Sequence, residues 1–222
     1  MQQKNIILFA IVLIFTGISS CSTNSIKDID GNNYKTVTIG KQIWMAENLK
    51  TTRLKDGTII PVVIENDAWI KLTAPSYCWY FNDEKENKNV YGGLYNWYAV
   101  NSNKLCPEGW HVPSDAEWMI LDSFLDDMRG PVGGKLKEKG TGHWKIPNSG
   151  ATNESGFTAL PGGYRSLEGV FNSKGIAGYW WSSTEYNATS VYFWTLRYKL
   201  ATTLKYRSEK FCGFSVRCIK DN

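Results

Sequence analysis

Residues 113–118 read Pro-Ser-Asp-Ala-Glu-Trp, and this stretch carries the clearest structural signal in the chain. Ser114 followed three residues later by Glu117 is the pattern of a capping box, in which each side chain bonds the backbone N–H of the other residue at a helix N-terminus. Three apolar residues follow on the same helical face as Trp118, and Gly130-Pro131 ends the pattern. These residues are Leu121, Leu125 and Met128. The sequence therefore predicts a helix that begins after Ser114 and packs Trp118 into a core.

Short strands are predicted before this helix. Tyr34–Ile39 and Gln42–Met45 flank Gly40-Lys41, and a glycine at the first position of a two-residue connection favours a type II′ hairpin. Ile59–Ile64 is predicted as a further strand. Residues 79–98 show no clear period, so most of this segment is predicted as loop, with a short helix over Leu94–Val100.

Strands are also predicted in the last part of the chain, where β-branched and aromatic residues are frequent. The predicted strands are Tyr179–Ser183, Val191–Arg197, Thr203–Arg207 and Gly213–Ile219. In the last of them Phe214, Val216 and Cys218 share one face, because side chains alternate along a strand.

The composition is rich in aromatic residues and glycine. The 222 residues include 10 Trp, 12 Tyr and 20 Gly, which indicates a loop-rich domain with many short strands. The formal net charge is +4 for the whole chain. Lys4 is the only charged residue in the first twenty, so the remainder has a net charge of +3, too small to indicate a nucleic-acid partner.

The N-terminus resembles the signal peptide of a bacterial lipoprotein. Lys4 precedes the apolar run Ile6–Phe15, which is shorter than the roughly 20 residues that a membrane span needs. Ile18-Ser19-Ser20 and then Cys21 follow, similar to a lipobox, in which the cysteine is lipidated. This predicts a signal peptide over 1–20, a lipidated tether over 21–25 and one domain over 26–222. The alternatives are a secreted protein cut near Ser20 and an uncleaved anchor, and each of the three places the domain outside the cytoplasm.

Four cysteines follow Cys21, and an even number favours disulfides in an oxidising compartment. If Cys212 and Cys218 share one extended strand, they lie about 20 Å apart, too far for a bond. We expect a Cys106–Cys218 disulfide, with Cys78 either bonded to Cys212 or, like it, free. Zinc is not expected, because no CxxC occurs and the two histidines, His111 and His143, lack ligand spacing.

Seven segments in order resemble the Fibrobacter succinogenes major paralogous domain family. They span Asp28–Thr51, Tyr91–Val100, Leu105–Trp118, Gly133–Trp144, Ala151–Arg165, Gly178–Glu185 and Gly213–Cys218. The resemblance implies an exported protein, often a lipoprotein, from Bacteroidetes or Fibrobacteres, in a family without an established activity.

A more distant likeness links WHVPSDAEW (110–118) and the late GFSVRC (213–218) to the sulfatase-modifying, formylglycine-generating family. It implies an α+β, C-type-lectin-like fold with twisted antiparallel sheets, one or two flanking helices, long loops and adjacent terminal strands. Its enzymes bind copper through two cysteines before the GFR strand. Cys212 abuts Gly213 and Cys218 lies inside the strand, so neither matches, and no enzyme is predicted.

C-type lectins bind sugar through calcium held by EPN or QPD and WND motifs, and this chain has Ile146-Pro147-Asn148 and Trp181-Ser182-Ser183 instead. Asn153 and Glu154, with Asn148 and Glu185, are the candidate calcium ligands. No fixed spacing groups them, so no cofactor is predicted.

The surplus tryptophans are the remaining indication of function. Trp79, Trp180, Trp181 and Glu185 are candidate ligand contacts, since an indole face packs against a sugar or a peptide side chain. In a strand the side chain of Trp180 points to the face opposite the side chains of its two neighbours, and the core does not obviously need an aromatic residue on that face. The alternative is that these rings fill the core. The sequence predicts a membrane-anchored protein of the outer membrane or cell surface that binds glycan or a surface protein. The other hypotheses are an unrecognised enzyme on a sulfatase-modifying-like fold and a structural envelope component.

Overall fold

The computed structural model describes residues 25–221, which form two five-stranded sheets and one two-stranded ribbon. The strands are β1 (Ser25–Lys27), β2 (Asn33–Ile39), β3 (Gln42–Met45), β4 (Tyr77–Cys78), β5 (Leu94–Tyr95), β6 (Trp110–His111), β7 (Gly162–Arg165), β8 (Phe171–Lys174), β9 (Ala177–Glu185), β10 (Ser190–Arg197), β11 (Leu204–Glu209) and β12 (Ile219–Lys220). The helices are α1 (Asn66–Trp69), α2 (Glu84–Tyr91), α3 (Trp97–Asn101), α4 (Asp115–Asp126) and α5 (Val132–Leu136). Antiparallel sheets with few helices confirm the α+β class.

The first sheet joins the two ends of the described chain. Its strand order is β1-β2-β3-β12-β6, and Ile219 of β12 pairs with both Trp44 and His111. The predicted adjacency of N- and C-terminal strands holds for β3 and β12, while β1 lies at the edge of the same sheet. β1 begins at Ser25, the last residue of the predicted tether.

The second sheet has the order β11-β10-β9-β7-β8 and holds β9 near its centre. Tyr179 and Trp181 of β9 pack into one hydrophobic core, while Trp180 packs into a second core beneath helix α4. The predicted alternation of Trp180 is correct. The inference that its face is spare is wrong, because both faces of the strand are buried.

Helix α4 confirms the prediction made from residues 113–118. Ser114 and Glu117 exchange both bonds of the capping box, and Trp118, Leu121 and Leu125 are buried. Met128 lies beyond the helix and packs partly against the same core.

The hairpin of β2 and β3 is also as predicted, with Ile39 opposite Gln42 and Gly40 at φ +61°. A side chain at Gly40 would also meet the ring of Phe124, 2.9 Å away.

Three local predictions need correction. Ile59–Ile64 is not a regular strand, because only single bridges, Arg53 to Ile59 and Val62 to Tyr77, hold it. Most of 79–98 was predicted as loop, but the segment contains helix α2, which Asp83 caps by accepting a hydrogen bond from the Glu86 N–H. The helix predicted over Leu94–Val100 is strand β5 followed by helix α3.

The last predicted strand, Gly213–Ile219, is mostly irregular. Gly213, Phe214 and Ser215 form single bridges to three different partners as the chain crosses between the sheets. The shared face of Phe214, Val216 and Cys218 is confirmed, because all three lie in the first core.

The Cys106–Cys218 disulfide is present, with an S–S distance of 2.04 Å. Cys78 and Cys212 are both buried and unbonded, so the second predicted pairing is wrong and the alternative that both are free is correct. They lie in different clusters, Cys78 beside Trp69 and Leu94 and Cys212 beside Phe214.

The predicted signal peptide and Cys21 lie outside the described residues. Between residues 25 and 221, helices long and apolar enough to cross a membrane are absent.

Candidate functional site

The tryptophans singled out in the sequence lie in the core and do not form a surface platform. Trp79, Trp180 and Trp181 are 4%, 1% and 0% exposed. The Trp180 Nε1–H donates to Asn48 Oδ1 at 2.9 Å, and the Trp181 Nε1–H donates to the Tyr95 carbonyl at 2.7 Å. All three side chains are buried in this structure, so none of them faces the solvent from which a ligand would bind.

The candidate calcium ligands are not brought together. Asn153 Oδ1 accepts the Thr158 N–H at 2.8 Å, while Glu154 is exposed. Glu185 is exposed at the end of β9 and pairs with Lys210 at 2.7 Å. Within residues 25–221 there is no group of three acidic, histidine or cysteine side chains placed to hold a metal ion.

Tyrosines, and not tryptophans, line the open cleft that we call the tyrosine cleft. It lies over the β9-β10-β11 side of the second sheet and has a volume of about 460 Å³. Its lining residues are Tyr164, Ser166, Leu167, Glu168, Tyr179, Phe193, Arg197, Tyr206, Arg207, Ser208, Cys212 and Phe214.

Neighbouring elements each supply one ring to the floor of the cleft. Phe193 of β10 is opposite Tyr206 of β11 in the strand register, and their ring centroids are 6.0 Å apart. The Tyr164 and Tyr179 rings are 4.5 Å apart, and Tyr179 stacks on Phe214 at 5.5 Å. Phe193 and Phe214 are buried, while Tyr206 is 46% exposed, so the solvent exposure of the rings increases from the core towards the edge strand.

Three tyrosines of the cleft differ in their hydroxyl contacts from Tyr34 and Tyr95, which are fully buried. Tyr34 donates to Asp28 and Tyr95 donates to the Thr51 carbonyl, as buried hydroxyls require. For Tyr164, Tyr179 and Tyr206, the described part of the chain offers no hydroxyl partner. These residues present an apolar ring and an available hydroxyl to the same cleft.

The rim of the cleft carries two arginines and one glutamate. The Arg197 guanidinium lies over Tyr206 at 5.9 Å, and that of Arg207 lies over Tyr186 at 4.0 Å. Glu168 accepts a hydrogen bond from the Ser166 hydroxyl at 2.7 Å. Of the carboxylates between residues 25 and 221, none lies within ion-pair distance of Arg197 or Arg207.

A second hollow of about 390 Å³ continues the cleft around the edge strand β11. Tyr206 and Arg207 line both hollows, and Tyr186, Tyr192 and Lys205 complete the second. The two together form a strip of aromatic and basic side chains that is longer than either hollow alone.

Buried cations hold the loops that border the cleft. Arg165 donates to the carbonyls of Val63, Ile64 and Gly169, which ties two loops together beside Ser166. Lys137 Nζ donates to the Arg197 carbonyl at 3.3 Å, which fixes the end of β10.

Two other buried cations act in the same way. Lys135 binds the carbonyls of Leu125 and Met128 at the end of helix α4, and Arg217 binds Asn48 Oδ1 and the Thr158 carbonyl. In the described structure these cations bind neutral oxygens and have no carboxylate within 4 Å. These four buried cations are therefore structural.

Cys212 lies in the floor of the cleft but is not a nucleophile. Burial raises the pKa of its thiol to about 11, so the thiol is protonated at neutral pH.

His143 lines a separate hollow of about 260 Å³ and forms a histidine–carboxylate pair, as His111 does with Glu117 and Asp221. His143 Nδ1 lies 2.9 Å from both Glu138 oxygens. Thr158 supplies the only hydroxyl in this hollow, and it is held by Asn153 at 2.9 Å. The set lacks the activated nucleophile that acyl transfer would require.

The sequence contained only part of the signal for the tyrosine cleft. Two of its strands were predicted, and alternation assigns Phe193 and Tyr206 to definite faces. Their juxtaposition depends on strand pairing and on loop positions that a single sequence does not specify.

The comparisons with known proteins give one match. The model of the Fibrobacter succinogenes major domain family matches residues 37–220, which covers most of the chain. No curated protein and no solved structure matches the chain. The likeness to the sulfatase-modifying and C-type-lectin-like folds therefore stays a prediction. The match includes every residue that lines the tyrosine cleft, and the chain belongs to the Fibrobacter succinogenes major domain family.

Proposed function

We propose that this chain is an exported, lipid-anchored surface protein whose tyrosine cleft binds glycan. The observation that carries the proposal is a set of three tyrosines that line one open cleft and have no hydroxyl partner in the described structure: the exposed Tyr206, the half-buried Tyr164 and the largely buried Tyr179.

The chemistry of the cleft suits a sugar. A pyranose has apolar C–H faces and equatorial hydroxyls, and a tyrosine matches both with one side chain. The volume of about 460 Å³ lies within the roughly 300–1,000 Å³ of small-ligand sites. The cleft is also open and continues past β11, so a polymer can pass through it.

The N-terminal segment supports a location where glycans are abundant. A lipid on Cys21 would hold the domain at the outer membrane or cell surface, because two or more acyl chains anchor stably. We propose binding without calcium, since the oxygen ligands that calcium needs are not clustered in the described region. Nucleic acid is not proposed as a partner.

We propose a binding role without catalysis. An enzyme on a sulfatase-modifying-like fold would need a reactive pair of cysteines, whereas Cys106 and Cys218 are bonded to each other and Cys212 is protonated at neutral pH. A structural envelope component would need a broad flat apolar patch, and a cleft with a charged rim does not fit that role.

The test is binding of the chain from Ser22, which contains the whole described fold, to insoluble polysaccharides and a glycan array. We expect binding that survives a calcium chelator and falls about tenfold in Tyr206→Ala, since an aromatic contact contributes about 1.4 kcal/mol. The matched control is Tyr98→Ala, a partly exposed tyrosine of helix α3 outside the cleft. Failure to bind any glycan, or equal binding by Tyr206→Ala and the unmodified chain, would contradict the proposal.

A further inference from the structure

We infer that the ligand of the tyrosine cleft is an acidic glycan, whose carboxylate or sulfate groups are bound by Arg197 and Arg207. The inference rests on the proposed glycan-binding function and names the ligand class for the same site.

The guanidinium groups of the two arginines have hydrogen-bond donors without partners in the described structure. Their side chains make no hydrogen bond to any acceptor in the described part of the protein, in contrast to the buried Arg165 and Arg217, whose guanidinium groups bind carbonyl or amide oxygens. A guanidinium carries five N–H donors in a fixed plane. Ten donors therefore face solvent along the strip that includes the cleft.

Each guanidinium group lies near the face of a tyrosine ring. Arg207 Cζ lies 4.0 Å from the centre of the Tyr186 ring, and Arg197 Cζ lies 5.9 Å from the centre of the Tyr206 ring. An arginine whose face is covered by a ring leaves its N–H edge available. That edge matches the two oxygens of a carboxylate or sulfate in a bidentate pair.

The charge of the strip is not neutralised internally. Lys205 pairs with Asp115 at 3.1 Å and Lys210 pairs with Glu185 at 2.7 Å, so the neighbouring lysines have carboxylate partners. Arg197 and Arg207 have none within 4 Å in residues 25–221, and the single carboxylate that lines the cleft, Glu168, is bonded to Ser166. The cleft therefore has an excess of positive charge at its rim.

Exposed arginines beside stacked tyrosines favour a glycan over a neutral apolar ligand. The rings bind the sugar faces and the arginines bind the acidic substituents, so the two kinds of contact act on one repeating unit. Uronic acid polymers and sulfated polymers share this chemistry, and the experiment separates them.

The test compares polygalacturonate, chondroitin sulfate, neutral xylan and polyglutamate as ligands of the chain from Ser22 by affinity electrophoresis and calorimetry. We expect at least tenfold tighter binding to one or both acidic glycans than to xylan, with weaker binding at high salt. Arg197→Gln/Arg207→Gln should remove this preference and leave any xylan binding unchanged. Arg129→Gln is the control, since Arg129 is exposed and lies outside the cleft. Both cleft arginines are exposed, so thermal denaturation should show the double variant to be folded.

The outcomes separate the inference from the function on which it rests. A preference for polygalacturonate alone or for chondroitin sulfate alone supports the inference and identifies the acidic group. Equal binding of xylan and the acidic polymers, unaffected by the double substitution, overturns the inference and leaves glycan binding intact. Tighter binding of polyglutamate than of either acidic glycan also overturns it. Absence of binding to all three glycans overturns both proposals.

Discussion

Cys106 and Cys218 are bonded across a sequence separation of 112 residues, and the bond ties the segment before β6 to the residue before β12. It therefore reinforces the first sheet at the point where the two ends of the described chain meet. In the chain-entropy model a loop of this length stabilises a fold by about 4–5 kcal/mol.

Replacing both residues, Cys106→Ala/Cys218→Ala, should lower the free energy of unfolding by about 4 kcal/mol, measured by urea denaturation. Dithiothreitol should destabilise the unmodified protein and leave this variant unchanged, because Cys78 and Cys212 are unbonded. A further loss of stability on reduction of the variant would reveal a second disulfide and contradict the structure.

His111 should make stability fall in mildly alkaline solution. It lies between Glu117, at 2.8 Å, and Asp221, at 2.6 Å. The hydrogen bond with Glu117 acts against burial and, with Asp221, raises the pKa of His111 from 6.5 to about 9. A raised folded-state pKa means that the stabilisation is fully present below pH 6.5 and is lost as the pH rises through 9.

Urea denaturation at pH 6 and pH 9.5 measures this effect. The decrease in stability between the two pH values should be smaller in His111→Gln than in the unmodified protein. An identical decrease in both proteins would show that His111 is not the group responsible.

Lys137→Met should destabilise the fold although it removes a buried charge. The Lys137 side chain is fully buried, and its Nζ donates to the carbonyls of Ser149, Arg197 and Leu200. Removing the donor leaves buried acceptors without partners, which costs about 1–3 kcal/mol.

The control for this variant is Lys199→Met, an exposed position two residues after Arg197, where we expect a change within about 0.5 kcal/mol. Equal effects of the two substitutions, measured by thermal denaturation, would show that the carbonyl contacts of Lys137 contribute little.

Phe81 has a strained backbone conformation, and a substitute that tolerates this conformation should be more stable than one that does not. Its φ is +51°, in the left-handed region, although the side chain is 69% exposed. A residue with a β-carbon loses about 1 kcal/mol there, and asparagine tolerates the conformation better than most residues. Phe81→Asn should therefore be more stable than Phe81→Ala by up to about 1 kcal/mol in urea denaturation. The two variants lose the same contacts with Tyr80 and Phe171, so a more stable alanine variant would contradict the argument.

The parts of the fold that the sequence predicted correctly are local. The capping box and the apolar face of helix α4 lie within fifteen residues, and the β2–β3 hairpin depends on Gly40. A distance argument disfavoured only the Cys212–Cys218 pairing, and the expected Cys106–Cys218 bond was one of the pairings that it left open.

The predictions that failed depend on what covers a segment from outside. Trp180 has the alternation expected of a strand with one exposed side, but helix α4 covers that side with Trp118, Leu121 and Leu125. Ile59–Ile64 has the composition of a strand, but it runs beside no strand for more than a single bridge. Helix α2 could have been found from Asp83 at its N-cap and the Glu84–Lys88 pair, which is four residues apart.

The candidate site was predicted least well, for a related reason. Aromatic residues that face solvent and those that fill a core look alike in a single sequence. Tryptophans were therefore predicted as ligand contacts, and the tyrosines of the cleft were not. What distinguishes Tyr206 from Tyr95 is the hydroxyl partner, and that partner, the Thr51 carbonyl, is 44 residues away in the chain.

Lys135, Lys137, Arg165 and Arg217 each bind main-chain carbonyl oxygens, and these contacts affect how far the surface loops of the domain can vary in sequence. Every amino acid has a main-chain carbonyl, so a loop held through its carbonyls stays held when its side chains are exchanged. Exposed residues of these loops, such as Ile64, Glu65 and Lys145, can thus be exchanged without losing the anchors, as long as the four cations and the Asn66 and Asn148 side chains remain. A library of loop variants built on this domain should for that reason contain many folded members with different binding surfaces.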